Sequence, residues 1–447
     1  MKNLSSIPDN ILVLGLAKSG TAAAKILLKH GKNVRVNDLK FNDDRVIETL
    51  TALGAEVIIG SHPISVLDDV EIIVKNPGIP YDNPLIKQAV KRNIPIITEI
   101  EIAYLLAKSP IIAVTGSNGK TTTTTLIGEL LKAASENVKV AGNIGTVAIE
   151  VAQHTMETER LVLELSSFQL LGIKKFRPHI SVLLNIYEAH LDYHKTFANY
   201  KRAKANIFVN QHQSDYLIYN ADDITTATVV KQAKATLIPF SVLGKVKTGA
   251  WADEQAIYYK KEKIINRSQI ALVGSHNLEN ILASICVAKR YNVATEHIQH
   301  VLKTFSGVEH RLQYVMTKHE RKFYNDSKAT NILATQKALA AFTDPVILLA
   351  GGLDRGNEFT DLIPYLSNVK GMITFGETAH KLQEVATQAK VPFIKQTKDL
   401  QSAVKIAYNH SAPKDIILLS PACASWDQYR TFEERGDMFI EAVHNLS

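Results

Sequence analysis

The chain has 447 residues, 46% hydrophobic and 21% charged, a composition that excludes a disordered or fibrous protein and a length that predicts about two to four domains. No apolar run approaches the ~18 residues that cross a bilayer, and Met1–Asn10 lacks the charged and apolar regions of a secretory leader, so a cytoplasmic protein is expected. The net charge of +7 reads first as a solvated surface with an excess of lysine and, as the alternative, as a general attraction for anionic small molecules; no long basic block marks a nucleic-acid tract, and two cysteines, Cys286 and Cys423, suit a reducing compartment.

The first block runs to about Thr98. Asn10–Leu14 reads as a buried strand that ends in Gly15-Leu16-Ala17-Lys18-Ser19-Gly20, and an alanine-rich helix follows to about His30. Val34–Asp38 is a second strand ending in an acid, the place where Rossmann folds hold a ribose. Gly15 and Gly20 lack the glycine expected between them, so a nicotinamide dinucleotide site is the weaker reading, and Asp38 is equally suited to capping the next loop. Glu71–Lys75 is another strand, followed by the dense turn Asn76-Pro77-Gly78-Ile79-Pro80.

The second block, about Glu99 to Ser306, opens on the most informative stretch. The apolar run Ile111–Val114 is followed by Thr115-Gly116-Ser117-Asn118-Gly119-Lys120-Thr121 and then by a helix over 122–132. Strand, glycine loop and helix in that order make a phosphate cradle, because the loop N–H groups point inward and the helix N-terminus adds partial positive charge. Lys120 is placed to reach the outer phosphates, and the Thr121 hydroxyl to ligate Mg²⁺. Val114 stands where the full motif has its outermost glycine. The threonine run 121–125 is a mediocre helix start that needs support from packing or ligand.

Further along, Leu161–Leu165 and Ile180–Leu184 read as strands of a parallel sheet covered on both faces. Glu164 sits where such proteins place an Mg²⁺-holding acid, or else caps a loop. His190 follows a strand end and so faces the nucleotide edge. Tyr200–Lys204 reads as the solvated face of a helix, and residues 237–271 as a β insertion. Asn277 and Asn280 share one helix face and suit an adenine edge or a cap. The third block, about Gly307 to Ser447, has strands at Val346–Ala350, Met372–Phe375 and Ile416–Ser420, and a polar cluster at Asn325–Asn331.

Taken in order, these motifs resemble the Mur ligase family of peptidoglycan synthesis, from about Ile11 to Phe439. The resemblance rests on residues 115–121, Gly-Asn-Ile-Gly at 142–145, Glu-Leu-Ser-Ser-Phe-Gln-Leu at 164–170, His-Asn-x-x-Asn at 276–280 and Glu-His-Arg at 309–311. Asn-Asp-Ser-Lys-Ala-Thr-Asn at 325–331 and Leu-Ser-Pro-Ala-Cys-Ala-Ser-Trp-Asp at 419–427 complete it.

It implies an α/β protein of three domains: a Rossmann-like domain over 1–98 for a UDP-linked substrate, a phosphate-loop ATPase-like domain over 99–306 and a Rossmann-like amino-acid domain over 307–447. The implied reaction is ATP-driven addition of D-glutamate to UDP-N-acetylmuramoyl-L-alanine through an acyl phosphate, by a monomer that binds neither nucleic acid nor membrane.

By the same resemblance Gly116, Ser117, Asn118, Gly119, Lys120, Thr121 and Thr122 hold the ATP phosphates, while Asn277, Asn280, Arg311 and Asp326 contact the nucleotide. Thr121 and Glu164 hold one Mg²⁺ and His190 helps hold a second, with Lys204 as a carbamylated metal ligand; Lys120, Glu164, His190 and Lys204 are the implied catalytic set. Gly15, Asp38 and Asn143 face the UDP substrate, and Lys328, Thr330, Ser425 and Phe432 the amino acid. Two departures stand out. Arg355 occupies a place where some members have lysine for the amino-acid carboxylate, and Trp426 one where a smaller apolar residue occurs. A sibling ligase, including one that extends folate, and a nucleotide switch without covalent chemistry are the competing readings.

Overall fold

The computed structural model describes residues 4–41, 43–272, 274 and 276–446, with the side chain of His276 left out. The chain divides into two compact units, Met1–Ile270 with His276–Lys303, and Ala271–Ser275 with Thr304–Ser447. The first unit carries two sheets and the second carries one.

The first sheet contains β1 (Asn10–Leu14), β2 (Asn33–Asp38), β3 (Glu56–Ile59), β4 (Ile72–Lys75) and β5 (Ile96–Ile97), all parallel, in the order β3-β2-β1-β4-β5. Leu14 stands opposite both Asn37 and Lys75, so the turns after β1, β2 and β4 meet at one carboxyl edge. Gly15 and Gly20 are there for close packing: a Cβ on Gly20 would come within 1.8 Å of the Gly15 carbonyl oxygen. Gly15 itself has φ +90°, a left-handed backbone that glycine adopts without steric cost.

The second sheet runs β14-β13-β12-β11-β10-β9-β6-β8-β7. Its strands are β6 (Ile111–Thr115), β7 (Val138–Gly142), β8 (Arg160–Glu164), β9 (Ile180–Leu183), β10 (Tyr216–Asn220), β11 (Thr236–Ser241), β12 (Ala250–Ala252), β13 (Ala256–Tyr259) and β14 (Glu262–Asn266). Residues 237–271 therefore do not form a separate insertion. β11 and β12 continue the parallel sheet, and β13 and β14 close it as an antiparallel edge. Leu27, Ile102 and Ile149 belong to one continuous core that joins the first sheet to the second.

The second unit holds β15 (Gln313–Lys318), β16 (Arg321–Asn325), β17 (Val346–Gly351), β18 (Val369–Phe375), β19 (Phe393–Gln396) and β20 (Ile416–Leu419), ordered β15-β16-β20-β17-β18-β19. Only the edge strand β15 is antiparallel to its neighbour. Along β17, Val346, Leu348 and Ala350 enter one core while Ile347 and Leu349 enter another. That alternation is how a period of two buries both faces of a sheet between helices.

Candidate functional site

In the second sheet Val114 is registered against Glu164 and Val182. The ends of β6, β8 and β9 therefore lie side by side, and the loop after β6 is bounded by the segments that leave β8 and β9. The helix begins at Lys120, two residues earlier than the sequence predicts, and runs to Ala133.

The loop is held from outside by the segment after β9. Ser117 N–H donates to the Asn185 carbonyl at 3.0 Å and Asn118 N–H to Asn185 Oδ1 at 2.9 Å. Ser117 Oγ and the Tyr200 hydroxyl share a hydrogen bond at 3.0 Å. Gly119 has φ +82°, and a Cβ there would sit 2.1 Å from Asn280 Oδ1. Asn280 also accepts from Thr123 Oγ1 at 3.2 Å and donates to Asn277 Oδ1 at 2.9 Å. The two asparagines thus bond to each other and brace the first turn of the phosphate-loop helix. This supplies the packing support that the threonine run needs, and Thr121, Thr122, Thr123 and Thr124 are all buried.

Two cationic side chains converge on this loop. Lys120 Nζ donates to the carbonyls of Gly116 (2.9 Å) and Ser117 (3.2 Å), and Lys204 Nζ donates to Gly116 O at 2.7 Å. Lys204 is buried, with its ammonium 4.8 Å from the centre of the Tyr200 ring. The solvated-face reading of residues 200–204 therefore fails at this position, while Arg202 remains exposed. Burial, and then the Lys120 charge, push the Lys204 amine well below its usual range; Glu164 pulls the other way.

Glu164 ends β8 and is buried. Its Oε1 accepts from Asn143 Nδ2 at 2.9 Å, whereas Oε2 is buried with no hydrogen-bond partner among the described residues. A carboxylate oxygen left so is costly unless a cation meets it. Gly142, at φ +111°, lets the chain pass so close to β8 that a Cβ would approach the Glu164 carbonyl oxygen to 2.3 Å.

His190 has left-handed backbone (φ 54°) and packs at 5.0 Å, edge to ring, on Phe168. Burial, followed by Lys204 and Lys120, lowers its pKa against the opposing pull of Asp192, favouring the neutral imidazole that can ligate a metal. Among the described residues no group of three or more His, Cys, Asp or Glu side chains gathers as a ready-made metal cage. The unpartnered Glu164 Oε2 is an oxygen donor of the kind that suits a hard cation such as Mg²⁺.

On the first sheet, Asp38 accepts from Leu16 N–H (2.7 Å) and Lys40 N–H (2.9 Å), so it pins the glycine turn after β1 and also caps its own loop.

In the second unit the cluster after β16 is tightly built. Asp326 accepts from Leu312 N–H at 3.1 Å and Ser420 Oγ at 2.8 Å, and burial raises its pKa to about 7 against the charge of Arg311. Lys328 lies 5.2 Å from the centre of the Phe432 ring, and Thr330 N–H donates to the Lys328 carbonyl at 2.9 Å. Ser425 Oγ is buried with no partner among the described residues. Arg355 stacks its guanidinium 4.8 Å from the centre of the exposed Trp426 ring, and Leu353 N–H donates to the Ala424 carbonyl at 2.9 Å, tying the two loops together.

The sequence gives no hint of Arg435, a fully buried guanidinium that donates to Ser327, Gly351 and Cys423 and so gathers the same loops. Glu99 is also unforeseen. It accepts from Gln169 at 3.3 Å, and burial raises its pKa to about 7. Burial pushes the thiols of Cys423 and Cys286 up to about 11 and about 12, which leaves neither as a nucleophile.

Three family models match the chain: Mur ligase MurD-like, N-terminal domain over residues 9–98, Mur ligase middle domain over 114–288, and Mur ligase, glutamate ligase domain over 310–423. A protein of Oceanobacillus iheyensis named UDP-N-acetylmuramoylalanine--D-glutamate ligase is 56% identical over 448 residues, with all of both chains covered. The chain belongs to the Mur ligase family. A Bacillus pumilus protein of the same name is 55% identical, covering 98% of each chain. Among solved Mur ligases, MurF of Acinetobacter baumannii superposes with a TM-score of 0.61 at 18% identity, covering 96% of this chain and 93% of that one. UDP-N-acetylmuramate-alanine ligase MurC of Thermotoga maritima gives 0.59 at 18% identity, covering 97% and 99%. At such identities the likeness speaks for the fold alone.

Proposed function

We propose that this chain is an ATP-dependent ligase that joins D-glutamate to UDP-N-acetylmuramoyl-L-alanine, forming ADP and phosphate, in the synthesis of peptidoglycan precursors. The choice of substrates follows the relatives' name, and the chemistry follows one observation above all. A phosphate loop has at its lip a buried carboxylate with an open oxygen, Glu164, and a buried amine, Lys204.

A carboxylate becomes an electrophile only when one of its oxygens is made a leaving group. ATP passes its γ-phosphoryl group to the L-alanyl carboxylate, giving ADP and an acyl phosphate. The amine of D-glutamate then attacks the carbonyl carbon, and phosphate leaves the tetrahedral intermediate as the amide forms. Lys120 and the amides of Gly116 and of Gly119 to Thr122 spread charge over the transferring phosphates, the largest electrostatic requirement of the first step, while the Ser117 and Asn118 amides hold the loop to Asn185. Thr121 and Glu164 would hold one Mg²⁺, and His190 would help hold a second with carbamylated Lys204 as a further ligand; bound there, the ions would supply positive charge between the phosphates and the incoming carboxylate.

Only an unprotonated amine adds to CO₂. The depressed pKa of Lys204 provides one, forming an N–C bond, releasing a proton and leaving an anionic carbamate beside the metal site.

Asn277, Asn280, Arg311 and Asp326 serve the nucleotide, and Gly15, Asp38 and Asn143 the UDP substrate. Lys328, Thr330, Arg355, Ser425 and Phe432 serve D-glutamate. Domain limits of 1–98, 99–306 and 307–447, a monomeric state and a cytoplasmic location complete the reading; no described helix is long and apolar enough to cross a membrane. Phosphate release measured with UDP-N-acetylmuramoyl-L-alanine and a panel of amino acids tests it. D-glutamate alone should support turnover, and a preference for L-alanine, a diamino acid or L-glutamate would refute the assignment.

A further inference from the structure

β4 ends in Lys75, whose side chain is almost wholly buried at 1% exposure. No carboxylate among the described residues pairs with it. Its Nζ lies instead within hydrogen-bond distance of four acceptors that share its N–H groups: the carbonyls of Asn76 (3.0 Å), Pro77 (3.2 Å) and Ile79 (2.7 Å) and the Tyr193 hydroxyl (3.1 Å). The rings of Tyr81 and Tyr193 lie 5.1 Å and 5.8 Å from the ammonium, close enough for cation–π attraction. Burial without a counter-ion lowers the Lys75 pKa to about 7. An apolar side chain of similar length would avoid that desolvation, so a lysine here costs stability that something other than packing must justify.

The groups that the ammonium touches suggest the reason. On one side it gathers the turn 76–79, and Asn76 Nδ2 in turn donates to Ser19 Oγ at 3.2 Å. The Asn76 Cβ lies so close to Gly15 that any side chain on Gly15 would meet it at 2.8 Å. The turn after β4 thereby sets the glycine turn after β1. On the other side, the Tyr193 hydroxyl lies within hydrogen-bond distance of Pro77 O (3.0 Å) and Ile79 O (2.9 Å), which share its single O–H. Tyr193 lies in the short helix Leu191–His194 directly after His190, and its N–H donates to the His190 carbonyl at 3.2 Å. Phe168 packs against the rings of His190, Tyr193 and His194 together, so this segment is one packed piece.

We propose that Lys75 is a positioning residue for the UDP-linked substrate: its internal ammonium, shared between the 76–79 turn and Tyr193, locks the carboxyl edge of the first sheet to the His190 segment. The substrate held on that edge is then presented in register with the phosphate loop, and an anionic ligand there favours the protonated form of Lys75, which has no carboxylate partner among the described residues. The proposal rests on the assignment of Gly15 and Asp38 to the UDP end of the substrate.

Steady-state kinetics of Lys75→Met, Lys75→Arg and Tyr193→Phe, each with all three substrates varied, test it. Lys75→Met should raise the KM for UDP-N-acetylmuramoyl-L-alanine about tenfold and lower kcat, with the KM for ATP changed less than about twofold. Lys75→Arg, which keeps a charge and donors, should recover most of the loss, and Tyr193→Phe should fall between. An unchanged KM for the UDP substrate in both Lys75→Met and Tyr193→Phe overturns the proposal, as does an equal rise in all three KM values. Should Lys75→Met fail to fold, as judged by loss of ATP binding, Tyr193→Phe decides by the same criterion. Wild-type enzyme that shows no saturation by the UDP substrate sinks the parent reading instead, so the two failures are distinct.

Discussion

The Lys204 amine and the Lys120 amine donate to the same carbonyl oxygen, that of Gly116, at 2.7 Å and 2.9 Å. Two lysines on one acceptor repel each other's protonated forms, and Lys204, the buried one, is held well below the ordinary lysine range by its burial and then by the Lys120 charge. In the proposed reaction Lys120 serves as the cation for the phosphates and Lys204 as the amine that reacts with CO₂.

Lys204→Ala should therefore lose most turnover, and short-chain carboxylates added to the assay should restore part of it by standing in for the carbamate. Wild-type activity in Lys204→Ala, or no response to any carboxylate tried, contradicts that role.

Glu164→Ala and Lys120→Ala should each lower kcat about a thousandfold or more while leaving thermal unfolding close to that of wild type, because Lys120 is the cation for the transferring phosphates and Glu164 would hold the Mg²⁺ that meets them. Calorimetry alongside phosphate release checks both halves. Near-normal rates, or a collapsed melting temperature, contradict the assignment.

Arg355 and Trp426 are expected to act as one unit. A guanidinium stacked on an indole is held flat and can grip a carboxylate with two N–H groups, which a lysine cannot do. Trp426→Leu should raise the KM for D-glutamate several-fold, roughly 1 kcal/mol of lost orientation, and should add little in an Arg355→Ala background. Equal effects of Trp426→Leu with and without Arg355 would show that the stack is incidental.

Glu99 makes stability depend on pH. Its folded pKa is raised to about 7 by burial, so the folded protein holds a proton that the unfolded chain has already released. The stability contributed by the protonated form is fully present below the unfolded value near 4.5 and is lost as pH rises towards about 7. Melting temperatures of Glu99→Gln should therefore fall less than those of wild type between about pH 5 and 7. Parallel curves would contradict this.

The phosphate loop was legible because its evidence is local: a strand, two glycines, Lys120 and a helix stand in one short run, and the fold needs nothing distant to assemble them. The parallel sheets were legible for the same reason, from apolar runs such as Ile111–Val114 and Val346–Ala350. Lys204 read as surface from the residues alone, since a lysine's burial depends on the elements packed over its helix and not on its neighbours in sequence. Lys75 and Tyr193 lie 118 residues apart, and nothing in either stretch announces the other. Asp38 was readable as a ribose holder or a cap; the hydrogen bond from Lys40 N–H shows the capping that sequence left open, and the bond from Leu16 N–H, 22 residues away, could not be read from sequence. Residues 237–271 read as an insertion because short strands with turns between them look alike whether they stand alone or extend a neighbour's sheet.

The decisive measurement is phosphate release by the purified protein with ATP and Mg²⁺, adding UDP-N-acetylmuramoyl-L-alanine and D-glutamate singly and together. Sustained release should need both, with one phosphate formed per amide bond. ATP consumption at the same rate with or without either substrate would contradict the ligase assignment.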